Sequence, residues 1–196
     1  GDLADLLEAQ AAALDEALDD ALGPRLWARV ARVAESPLGD VPRAIAAHER
    51  VVARAPEPES LDALARMHAA RGEHAAAVRY LTARLANAEG DALRATVTRL
   101  AQAHIATGQS PEARAVLERH LARDPGARDA RTTLAELYRA SESWEPLAAL
   151  LTDERVEPAD RLASLREAAD VLLRRVGDAE RAVPVLERAA ALAPDD

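Results

Sequence analysis

Five histidines and 34 carboxylates are the residues of this 196-residue chain that can do chemistry near neutral pH, and their spacing limits what that chemistry is. His48-Glu49-Arg50-Val51-Val52 opens like the zinc motif H-E-x-x-H, in which two histidines share a helix face and the glutamate serves as base. The second ligand position holds Val52, and losing one of two ligands on that face removes the site. His68 and His104 occupy related positions, but a metal shared between them needs about two further ligands. No cysteine or carboxylate cluster supplies those ligands, so both are expected in the core or semi-buried. His48 and His120 fall at apolar positions and are expected to pack, whereas His74, in a turn, is expected in solvent.

Other reaction types are also unsupported. The sequence has no G-x-x-x-x-G-K-[ST] or G-x-G-x-x-G loop to cradle phosphate, and no G-x-S-x-G to present a nucleophilic serine. The absence of cysteine excludes disulfides and thiolate chemistry. Carboxylate pairs are abundant but read as a solvated surface, and none stands out as a general acid and base. Trp27 and Trp144 read as core residues rather than stacking platforms. The chain is therefore expected to have no catalytic activity, no cofactor and no metal.

The elements that would carry these residues follow from a repeat. Windows Gly39 to Pro56, Gly108 to Pro125 and Gly177 to Pro194 align without a gap, 69 residues apart. Six columns are identical: the glycine, Ala44/Ala113/Ala182, the Glu49-Arg50 type pair, Ala53/Ala122/Ala191 and the proline. Each glycine ends one helix in the left-handed conformation. Asp40, Ser110 or Asp178 then stands where the next helix wants a cap. Positions 113, 116, 117, 120 and 121 form one helix face, and the same face recurs at 44, 47, 48, 51, 52 and at 182, 185, 186, 189, 190. A half-period lies between the windows. Gly72, Ala77, Leu81 and Leu85 mark one copy, and Ser141 to Trp144 with Leu147, Leu150 and Leu151 a weaker one. A unit of about 34 to 36 residues thus holds two helices.

These residues resemble the tetratricopeptide-repeat family. Leu61, Leu64-Ala65, His68, Gly72, Ala77 and Leu81 match its pattern in one repeat, and Val97, Leu100-Ala101, His104, Gly108, Ala113, Leu117 and Pro125 in the next. Leu134-Ala135, Tyr138 and Trp144 follow in a third, where Glu142 replaces the turn glycine. Outer copies around Trp27 to Pro56 and Leu165 to Pro194 fit if one residue is added before the glycine. The resemblance implies an all-α, right-handed α-α superhelix of about five helix-turn-helix repeats with an extra N-terminal helix.

Helices are expected at about 3–22, 24–36, 41–54, 58–71, 74–87, 91–107, 111–122, 127–140, 144–152, 159–175 and 179–192. Residues 1–22 form an acidic element with seven carboxylates and no base, and residues 23–196 one continuous repeat domain. With Leu3, Leu7, Leu14 and Leu18 on a narrow stripe, the first helix reads as a cap or as the second helix of a preceding repeat. The sharper alternative is a partner-binding or coiled-coil helix. Pro184 stands where Ala46 and Ala115 stand elsewhere, so a kink or a late helix start is expected there.

The net charge of −9 argues against nucleic acid and anionic membrane as partners. No apolar run reaches the roughly 20 residues of a spanning helix. All 25 basic residues are arginine, which with heavy alanine usage suggests a GC-rich bacterial genome. The chain opens on Gly1 without a signal-peptide pattern, so a cytoplasmic piece of a longer protein is expected.

Stacked helix pairs present an extended concave face lined by the first helix of each pair. The resemblance assigns partner contacts there to Asp62, Arg66, Thr98, Arg99, Gln102, Thr132, Glu136 and Arg139. Their mixed charge suits an extended peptide or a helix of a partner protein. The family's clamp for a C-terminal carboxylate is not matched, because Asp62 and Thr98 stand where lysine is expected. The alternatives are a structural spacer, self-assembly through the open ends of the array, or an accessory arm of an enzyme domain outside this segment. The helix at 179–192 has no polar capping helix after it, which keeps a homo-oligomer in play.

Overall fold

The computed structural model describes residues 3–16, 22–36, 39–155 and 158–193. Among them are eleven α-helices and no strand: α1 Leu3–Glu16, α2 Gly23–Glu35, α3 Val41–Arg54, α4 Pro58–Ala70, α5 His74–Leu85, α6 Gly90–Ala106, α7 Ser110–Arg123, α8 Arg128–Ala140, α9 Trp144–Thr152, α10 Pro158–Val171 and α11 Ala179–Leu192. A π-helical turn, Leu172–Val176, extends α10. Residues 17–21, the side chains of Leu3 and Leu14, and the closing Pro194 lie outside the described residues. The chain forms two compact units, Gly1–Gln109 and Ser110–Asp196.

The first helix of each repeat ends by one device. After α4, α6 and α8, the residue following the turn bonds back to a carbonyl five residues earlier: Glu73 to His68 at 2.9 Å, Gln109 to His104 at 2.8 Å and Ser143 to Tyr138 at 2.8 Å. This is the Schellman closure, which needs a left-handed residue before the donor. Gly72 and Gly108 take it at φ 76° and 74°, and Glu142 is forced into it at φ 52°. After α2 and α10 the reach is six residues, Asp40 to Ala34 at 2.8 Å and Asp178 to Leu172 at 2.9 Å. The extra residue expected in the outer copies is therefore real. Behind Gly177 it widens the last turn of the helix into the π-helical turn.

In unit 1, α1 packs on α2 through Leu7 and Ala11, which join Trp27, Val30, Ala31, Ala47 and Val51 in one core. Arg43 on α3 reaches back to Asp5 and Glu8 on α1. In unit 2, Arg181 holds Glu145 on α9 in the same way at 2.9 Å, and Ala148 is as buried as Ala11. The pair Glu8 and Ala11 thus repeats Glu145 and Ala148, and α1 occupies the place of a second helix.

The second helices bury the expected face. Ala44, Ala47, His48 and Val51 are buried on α3, as are Ala113, Leu117, His120 and Leu121 on α7. On α11 only part of the face is covered: Ala182, Val185 and Ala189 are buried, but Leu186 is 44% exposed. Two expectations are corrected. Of the kink or late start expected at Pro184, the late start is not seen: α11 begins at Ala179 and holds the exposed Pro184 inside it. Trp144 opens α9 half-buried instead of in the core, with the Arg175 guanidinium 4.9 Å from its ring centre.

Candidate functional site

The first helices α2, α4 and α6 and the second helices α3 and α5 enclose a groove of about 730 Å³ in unit 1. Its floor is small: Ala63, Ala65, Ala69, Ala77 and Ala103 line it with Leu81. Alanine side chains leave room for a second backbone to come close. Charged and polar groups from the first helices ring this floor: Arg32 and Glu35 from α2, Glu59, Asp62 and Arg66 from α4, Arg99 and Gln102 from α6.

Most of these charges are already paired. Glu35 accepts from Arg66 at 2.6 Å and from His48 Nε2 at 2.7 Å. Because a carboxylate only accepts, His48 carries its proton on Nε2, and Ser60 meets Nδ1 at 3.1 Å. Burial pushes the Glu35 carboxyl up, but the His48 and Arg66 hydrogen bonds and the Arg66 charge outweigh it and hold it below the usual range. Asp62 receives Arg99 at 2.7 Å and Arg84 at 3.0 Å. Arg99 also donates to the Asp62 carbonyl at 3.2 Å. Each of these ties crosses between neighbouring helices, so the groove walls are stapled by the residues read from the sequence as contact groups.

Four of the eight sequence-assigned residues, Asp62, Arg66, Arg99 and Gln102, therefore meet in one groove. Thr98 does not line it; its hydroxyl donates to the Arg94 carbonyl at 3.1 Å. In unit 2, Thr132 and Arg139 line a smaller pocket of about 240 Å³ with Pro125, Arg131, Leu151 and Glu167. Arg139 forks onto Glu167 of α10 at 2.8 and 2.9 Å, and exposed Glu136 lies outside the pocket. The sequence reading missed the carboxylates that hold these arginines, Glu35 and Glu167. The signal for them was opposite charge on successive first helices about one repeat apart.

The reading also missed Arg131. Trp27, Leu61 and Leu165 fill the matching place in other repeats with apolar bulk. Here Arg131 instead donates to the carbonyls of Leu150 and Pro125, both at 2.8 Å, and reaches Asp153 at 3.4 Å.

His48, His68 and His104 are held by neighbouring side chains. His68 donates from Nδ1 to Glu73 at 2.6 Å and stacks on Tyr80 with ring centres 5.4 Å apart. His104 meets Gln109 at 2.9 Å. His74 lines the groove half-buried instead of standing free in solvent. Among the described residues no group of three or more His, Cys, Asp or Glu is placed to hold a metal ion. Nor is any helix there long and apolar enough to cross a membrane.

Two family models described as tetratricopeptide repeat match residues 60–93 and 94–137. Residues 60–137 carry tetratricopeptide repeats. Solved structures of this kind share its fold. YrrB, described as a tetratricopeptide-repeat protein with an unusual peptide-binding site, superposes at TM-score 0.56 with 13% identity, over 94% of this chain and 93% of that one. A tetratricopeptide-repeat protein from Parabacteroides merdae gives 0.54 at 14% identity, covering 94% and 71%. MamA from Desulfovibrio magneticus gives 0.51 at 17%, covering 91% and 97%. No curated protein matches the sequence. Tetratricopeptide repeats are in general scaffolds for binding other proteins.

Proposed function

We propose that this domain is a non-catalytic interaction scaffold that binds a peptide or helix of a partner protein in the groove of unit 1. The observation that carries it is the alanine floor ringed by first-helix polar groups in a space of about 730 Å³. Gln102, exposed on α6, faces the ligand directly, while Asp62, Arg66 and Arg99 shape the walls through their mutual pairing. Thr98, Thr132, Glu136 and Arg139, the other residues assigned from the sequence, are not part of this groove, and the protein is read as cytoplasmic. The test is a photocrosslinking residue placed at Gln102, with a second at exposed Glu112 on α7 as control. Partner capture from host lysate at Gln102 alone supports the groove. Equal capture at both, or capture at neither, removes it.

Self-assembly is the second reading, favoured by Val183, Leu186 and Leu192, which are 53%, 44% and 46% exposed on α11. Sedimentation that shows an oligomer in the wild type and a monomer in Leu186→Glu supports it. A monomeric wild type at high concentration ends it.

A further inference from the structure

Almost every arginine of this chain is engaged, and the exceptions are informative. Among the described residues, the side chains of Arg25, Arg29, Arg32, Arg119 and Arg123 have no hydrogen bond, ion pair or ring contact, while those of the other arginines do. Three of the five stand on α2 at positions i, i+4 and i+7, all exposed. That spacing aligns them on one ridge spanning about 10 Å of helix. The only carboxylate on α2 is Glu35, and His48 and Arg66 already hold it. Arg32, at the end of the ridge, lines the groove.

Like charges one turn apart destabilise a helix. A strip of three cations without a carboxylate among them, in a chain of net charge −9, is therefore maintained against both local repulsion and the overall balance. An acidic ligand relieves that repulsion. Its carboxylates would replace water at guanidinium groups that present forked donors. The residues differ from a paired basic clamp inside the groove, where Arg66 and Arg99 are occupied.

We propose that the Arg25–Arg29–Arg32 ridge is the docking strip for an acidic peptide segment of a partner protein, which continues past Arg32 onto the alanine floor. This rests on the groove reading above and adds the chemistry of the ligand. Carboxylates on successive turns of a helix span about 11 Å and those on alternate residues of an extended chain about 13 Å, and flexible arginine side chains along a ridge of about 10 Å reach either.

The probe is a short fluorescein-labelled peptide of alternating Glu and Ala, followed by fluorescence anisotropy on the whole chain. A Gln-Ala peptide and a single-stranded oligonucleotide are run alongside. The acidic peptide is expected to bind saturably and the Gln-Ala peptide not to. Arg25→Gln/Arg29→Gln/Arg32→Gln should weaken binding roughly tenfold, since each exposed pair contributes modestly. Arg119→Gln/Arg123→Gln should leave it unchanged, and added salt should weaken it. Circular dichroism confirms the fold of each variant. If the triple variant is unstable, Arg29→Gln alone with a salt titration of the wild type gives the same answer. Equal affinity in the ridge variant, tighter binding of the oligonucleotide, or no saturable binding each overturns the proposal. If the ridge variant is unimpaired while crosslinking at Gln102 still captures a partner, the acidic assignment falls and the groove stands. If crosslinking also captures nothing, both fall.

Discussion

A glutamate in a place made for glycine sets the residue-scale energetics of one turn. Glu142 holds φ 52° where the equivalent turns use glycine, a conformation that costs a side-chain-bearing residue about 1–2 kcal/mol. Glycine loses more backbone freedom on folding, which offsets part of that gain. Glu142→Gly is therefore expected to raise stability by about 0.5–1 kcal/mol in denaturant melts, and a loss would show that Glu142 makes a compensating contact. Asp153 carries a pH dependence. The Arg155 side chain, working against burial and helped by the Arg155 amide and the Arg131 charge, holds its carboxyl at about 2. An unfolded aspartate titrates near about 3.9, so this stabilisation is present above that pH and disappears as pH falls towards 2. The expected loss is about 1–2 kcal/mol, reduced by salt. Asp153→Asn should flatten the stability profile between pH 4 and 2, and an unchanged slope would mean other carboxylates carry it.

At the scale of helices, the apolar lattice is the stabilising feature. Leu117 is fully buried on α7, so Leu117→Ala should cost about 2–5 kcal/mol. A loss under about 0.5 kcal/mol would show that this face is not packed. Pro184 is exposed inside α11 and cannot donate to the Glu180 carbonyl. Pro184→Ala should thus stabilise by about 2 kcal/mol, and no change in melting would mean the helix has already adapted around it. These elements were legible because helix faces and turn glycines repeat at a fixed spacing. The closures after α2 and α10 were visible only as a one-residue misfit, since sequence does not say whether an extra residue enters a loop or widens a helix. The groove charges were legible in kind but not in use. Arg66 and Arg99 look available on a helical wheel, and only the fold brings Glu35 and Asp62 within 2.6 and 2.7 Å of them. Arg131 was hidden for a related reason: a charged residue in an apolar column reads as noise until the carbonyls around it are placed.

At the scale of the whole molecule, α1 contributes Leu7 and Ala11 to the core of its unit. Removing residues 1–22 would expose Trp27, Val30 and Ala31, which Leu7 and Ala11 shield. The shortened chain is expected to melt at lower temperature, bind more hydrophobic dye and shift tryptophan emission to the red. An unchanged melting curve would mean α1 adds nothing to the core of its unit. The helix closures also give the protein a set of internal clocks. The amides of Asp40, Glu73, Gln109, Ser143 and Asp178 each close one first helix, and each exchanges with deuterium only when its own repeat opens. Three close a short ring and two a long one, so five peptide amides followed in parallel would time the opening of every repeat within a single intact chain.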